Sequence, residues 1–178
     1  MSFRSRTLFG DSPHAASSHT GLSLGLLLLR LMVGIIMVGH GTQKLFGWFG
    51  GPGLETTGKF FSEAGYPRGK AMALIAGLSE TLGGLGLILG FLTPLAAAAI
   101  LGTMVNALGV TWGEFFLPKG VEFTLLVALC ATALALTGPG AYAVDRYLPV
   151  LRTHRLAYGV AAIALAVVVG AVFLLIKD

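Results

Sequence analysis

Residues 22–46 read LSLGLLLLRLMVGIIMVGHGTQKLF. The stretch has no acidic residue, and its only formal charges are Arg30 and Lys44. A helix rises about 1.5 Å per residue and a bilayer core is about 30 Å thick. This stretch is therefore long enough and apolar enough to cross one. Four further apolar runs follow, at residues 71–92, 94–110, 121–137 and 156–176. None alternates with period two, which argues against a membrane β-barrel. The expected fold is all-α: a polytopic transmembrane helical bundle with four core helices and a fifth, C-terminal transmembrane helix.

Composition agrees. Of 178 residues, 55% are hydrophobic and 11% charged. A soluble domain carries about 25% charged residues. The apolar content is too high for a soluble globule and too continuous for a disordered chain. The 26 glycines fit helices that approach closely in lipid, where small residues supply the packing. The formal charge of +4 comes from cations at the ends of apolar runs. Topology and lipid headgroups account for them, and no basic stripe exists for nucleic acid. One cysteine, Cys130, allows no internal disulfide and no CxxC redox pair.

Residues 1–20 are polar and small and read as a flexible tail. Residues 21–148 read as a four-helix membrane domain, and residues 149–178 as a loop with an additional helix. Arg30 interrupts the first apolar run, so that run is read as a retained helix rather than a cleaved signal. Thr93-Pro94 reads as an N-cap followed by proline at the first helical position. The stretch LETTGKFFSEAG, residues 54–65, is expected to hold a short interfacial helix with Phe60 and Phe61 dipping into lipid. Ser79 with Gly83, and Gly86 with Gly90, read as a packing seam.

Charges at membrane depth are costly, so they are the functional candidates. Arg30 lies roughly 12 Å from the face where the first helix starts, and Glu80 roughly 18 Å from that same face. A long arginine could bridge this offset as a buried ion pair. The pair would lock two helices in register or form an intramembrane polar site. His40, Lys44, Asn106 and Glu122 form a second candidate cluster near the opposite boundary. Each has a plainer role available: Lys44 can snorkel, and Glu122 suits the first turn of a helix. No catalytic or metal motif is present, and no intrinsic cofactor is expected.

RLMVGIIMVGHGTQKLFGWFGGPGLETTGKFFSEAGYP, ALIAGLSETLGGLGLILGFLTPLAA, VEFTLLVAL and GPGAYAVDRYL occur in that order. Together they resemble the DoxX family of small bacterial membrane proteins, over about residues 24–148. On that resemblance Arg30, His40, Lys44, Glu80, Glu122 and Asp145 fall on recurrent polar positions. The resemblance implies a four-helix bundle in the bacterial cytoplasmic membrane, so the run at 156–176 is an addition. It implies a membrane subunit or anchor of a redox or oxidative-stress assembly, with quinone as a candidate ligand. Its partners would be the lipid bilayer, redox or thiol-metabolism proteins, and a second copy in a homo-oligomer. Basic residues divide nearly evenly between the two sides, so charge does not orient the chain. The resemblance places the N-terminus inside. The alternatives are a small transporter or channel using the same charges, and a purely structural membrane protein. A transporter should move solute alone in vesicles, whereas a subunit should be silent without its partners.

Overall fold

The computed structural model describes residues 13–113, 115–116, 120–149, 151 and 153–177, which form six α-helices and no strand. They are α1 (Pro13–Phe46), α2 (Gly53–Glu63), α3 (Gly69–Leu89), α4 (Thr93–Thr111), α5 (Glu122–Thr137) and α6 (Leu156–Leu175). Single 3-10 turns lie at Trp48–Gly50 and Val144–Tyr147. The all-α membrane bundle is the observed fold. α1 already begins at Pro13, inside the stretch read as a tail, while residues 1–12 lie outside the described residues.

Four helices are long and apolar enough to cross a membrane: α1, α3, α4 and α6. α5, with 16 residues, is shorter. At about 1.5 Å per residue it spans roughly 24 Å. The additional C-terminal helix therefore has spanning length, and the short helix is one of the four expected in the core. α1 packs on α3, α3 on α4, and α4 on both α5 and α6, while α2 folds back onto the start of α3. The bundle has two ends. The Arg30 end carries the α3–α4 turn and the segment between α5 and α6. The Lys44 end carries α2, the start of α3 and the ends of α1, α4 and α6.

Lipid supplies no hydrophobic drive between helices, so close contact of small residues takes that role. Gly34 and Gly41 of α1 meet Gly84 and Gly77 of α3, a spacing of seven residues on each helix. A Cβ on Gly84 would lie 2.7 Å from the Gly34 carbonyl oxygen and 2.9 Å from Val38. The expected seam is divided differently. Gly83 and Gly86 face Ala96 of α4, whereas Gly90 ends α3 with φ of 64°. Gly84→Ala is therefore expected to cost about 1–3 kcal/mol by overpacking. Gly102→Ala is expected to be nearly neutral, because its nearest contact, the Ala166 carbonyl oxygen, lies 3.5 Å away. Thermal unfolding of both variants in detergent checks the contrast.

Exposed side chains mark the membrane. Leu28, Met32, Ile35, Leu82, Leu129 and Val168 point outward along the helices. Trp48, Phe49, Phe60, Trp112 and Phe116 are exposed at the Lys44 end, and Tyr142 and Tyr147 at the other. Aromatic residues at both ends fit two headgroup boundaries. The short helix at 54–65 is present as α2. Phe60 points outward, but Phe61 turns in, with its ring centre 5.4 Å from that of Tyr66.

Candidate functional site

Arg30 and Glu80 are both buried, yet they are not partners. The geometry of Cβ explains this: helical side chains lean toward their helix's N-terminus. α1 and α3 are antiparallel, so Arg30 leans toward one end of the bundle and Glu80 toward the other. Side-chain direction separates the two residues.

Arg30 reaches into the Arg30 end and holds backbone there. Its Nη1 donates to the Leu87 carbonyl oxygen at 3.1 Å, and its Nη2 donates to that of Tyr142. Asp145, 1% exposed, acts on Arg30 through its charge, with no direct ion pair between them among the described residues, and accepts from the Leu92 and Thr93 amides at 2.7 and 2.9 Å. The Asp145 amide in turn donates to the Gly90 carbonyl oxygen at 2.9 Å. The cap of α4 is thus the Asp145 carboxylate, delivered from 52 residues away. Thr93, expected as the cap, is the first helical residue, and its buried hydroxyl has no protein partner. Arg30 and Asp145 together fasten the α3–α4 turn to the segment after α5.

At the other end, Lys44 takes the place expected for arginine. Its Nζ donates to Glu80 Oε2 at 2.6 Å. Glu80 is 2% exposed and Lys44 24%. Lys44 sits in the last turn of α1, and its side chain leans toward the N-terminus of that helix, back along the bundle. Glu80 is reached because its own side chain leans toward the Lys44 end.

The pair forms part of the wall of a cavity of about 610 Å³. The cavity follows α4 from Leu95 to Thr111, and α6 closes one side with Leu165, Val169 and Phe173. His40 faces it one turn before Lys44, its ring tilted against Phe123 with centres 5.3 Å apart. Its nitrogens have no protein partner among the described residues. Asn106 also faces the cavity. Its amide nitrogen donates to the Gly102 and Gly170 carbonyl oxygens at 3.0 and 3.2 Å. Its oxygen accepts from the Tyr66 hydroxyl at 3.1 Å. Burial pushes the Tyr66 phenol up, so it remains a donor at neutral pH. Asn106 therefore ties α4, α6 and the α2–α3 connection together.

His40, Lys44, Glu80 and Asn106 share this cavity, while Glu122 does not. Its carboxylate instead accepts from the Phe116 amide in the α4–α5 connection. Tyr66, Phe123 and the α6 wall were not foreseen. Small residues recur in α6 at Gly159, Ala162, Ala166 and Gly170, all buried, and that spacing was the available signal. Among the described residues, no group of three His, Cys, Asp or Glu side chains converges as a metal site.

A family model described as DoxX matches residues 25–112, from α1 to the end of α4. The match stops before α5 and α6, short of the extent expected from the motifs. No curated protein and no solved structure matches the chain.

Proposed function

We propose, for a multi-pass membrane protein that belongs to the DoxX family through residues 25–112, the role of a quinone-holding membrane subunit in a redox assembly. The observation that carries this reading is the cavity of about 610 Å³, apolar along most of its wall, with the Lys44–Glu80 pair set into that wall. Ligand sites commonly measure about 300–1,000 Å³ and combine apolar walls with a few placed polar groups. The residues fit a quinone. His40 and Lys44 offer N–H donors to a ring oxygen, and apolar side chains of α4 and α6 can hold an isoprenoid tail.

A bound quinone would supply two-electron, two-proton redox chemistry. The chain's own part is to bind and orient the ring, to keep water away from it, and to hold a proton on the Glu80 carboxylate or the His40 imidazole. A single cysteine provides no dithiol, so electrons would arrive from a partner protein. The family resemblance supports the bacterial cytoplasmic membrane as the site of action, with the N-terminus inside.

The test uses purified protein in lipid nanodiscs loaded with decylubiquinone, with retained quinone measured by extraction. Wild type is expected to retain it. Ala107→Phe, which adds bulk to the cavity wall next to Asn106 and leaves both members of the ion pair in place, is expected to lose most of it while melting near the wild-type temperature. Absence of retention in wild type, or unchanged retention in the variant, would overturn the reading.

A further inference from the structure

Charge accounting inside the cavity narrows the ligand further. Lys44 and Glu80 are the formally charged residues on its wall. They lie 2.6 Å apart, so each neutralises the other. The cavity therefore presents a dipole rather than a net charge. An ionised headgroup entering from the bilayer surface would lose its hydration and find no net counter-charge. A hydroxyl or carbonyl head loses far less hydration and still finds partners. Lys44 has three N–H donors, and one of them is used by Glu80. Oε1 of Glu80 and both nitrogens of His40 make no hydrogen bond among the described residues. The cavity is also long: from Leu95 to Thr111 it follows α4 for about 24 Å.

Resting on the reading of this cavity as a ligand site, we infer that the Lys44–Glu80 pair is its charge filter, admitting neutral single-chain amphiphiles with a hydroxyl or carbonyl head and rejecting anionic and cationic ones. The same pair sets the rule for its own alteration. With Glu80 made neutral, Lys44 becomes an unpaired cation and the site should recruit anions. With Lys44 removed, the carboxylate should recruit cations.

The experiment offers dodecanol, dodecanoate and dodecylammonium at equal concentration to the full chain in detergent. Native mass spectrometry counts what each protein molecule retains. A pH of about 8 keeps an exposed imidazole neutral, so His40 adds no charge. Wild type is expected to retain dodecanol over either ion by about tenfold or more, given the cost of an uncompensated charge at depth. Glu80→Gln is expected to shift the preference to dodecanoate, and Lys44→Met to dodecylammonium. Equal or better retention of an ion by wild type overturns the charge filter while leaving the ligand site intact. Retention of none of the three, together with no decylubiquinone, overturns the ligand site and the filter with it. Folded variants whose preference stays that of wild type overturn the assignment to this pair. The wild-type comparison is decisive even where a variant fails to fold.

Discussion

Arg30→Leu is expected to destabilise the bundle by about 3–5 kcal/mol, the scale of losing two hydrogen bonds from a charged donor inside the protein. Three losses combine. The Leu87 and Tyr142 carbonyl oxygens each lose a charged donor. Asp145, 1% exposed, loses the cation near it and keeps only the Leu92 and Thr93 amides. The α3–α4 turn and the segment after α5 then lose their common tether. Arg30→Lys is expected to recover little, because one ammonium cannot reproduce the planar fork that reaches two carbonyls in different segments. Asp145→Ala should cost about 2–4 kcal/mol, because the Leu92 and Thr93 amides lose their acceptor at the start of α4 and the buried Arg30 loses the anion near it. Equilibrium unfolding in mixed micelles measures all three. An Arg30→Leu protein within about 0.5 kcal/mol of wild type, the range of ordinary surface substitutions, would show that the tether is not structural.

The helices were legible because lipid demands long apolar runs, and such runs are visible in sequence. α1, α3, α4 and α6 were each readable from length and hydropathy alone. The partner of each buried charge was harder to read. Depth along a helix follows from counting residues, but partner choice depends on side-chain direction and on which loop folds over the helix end. Direction could have been applied: it sends Arg30 and Glu80 to opposite ends and brings Lys44 to Glu80. The role of Asp145 lay beyond counting. It caps a helix that begins 52 residues earlier, and only the path of the α5–α6 segment brings it there. The same reason hid the α6 wall of the cavity. A stripe of small residues predicts that a helix packs closely, without saying on which neighbour.

Lys44 and Glu80 are expected to show strong coupling in a double-mutant cycle, and Arg30 with Glu80 to show none. Neighbours in one ion pair typically couple by about 0.5–3 kcal/mol, whereas separated sites add. The two single replacements should differ in cost. Lys44→Met leaves a carboxylate at 2% exposure with no cation. Glu80→Met leaves an ammonium on a long, flexible stem at 24% exposure, and it can swing outward to the boundary. Lys44→Met should therefore approach the upper end of about 3–5 kcal/mol, and Glu80→Met should cost distinctly less. The double Met variant should regain most of the loss, since replacing a buried pair with apolar side chains is often near neutral. That recovery separates structure from function. A double variant that melts like wild type has an intact bundle and an apolar cavity without its dipole. If the pair serves only to hold α1 against α3, decylubiquinone retention should survive the exchange. If the pair meets the ligand's head, retention should fall while stability returns. Additive losses in the Lys44–Glu80 cycle would contradict the pairing itself, and the charge filter would fall with it.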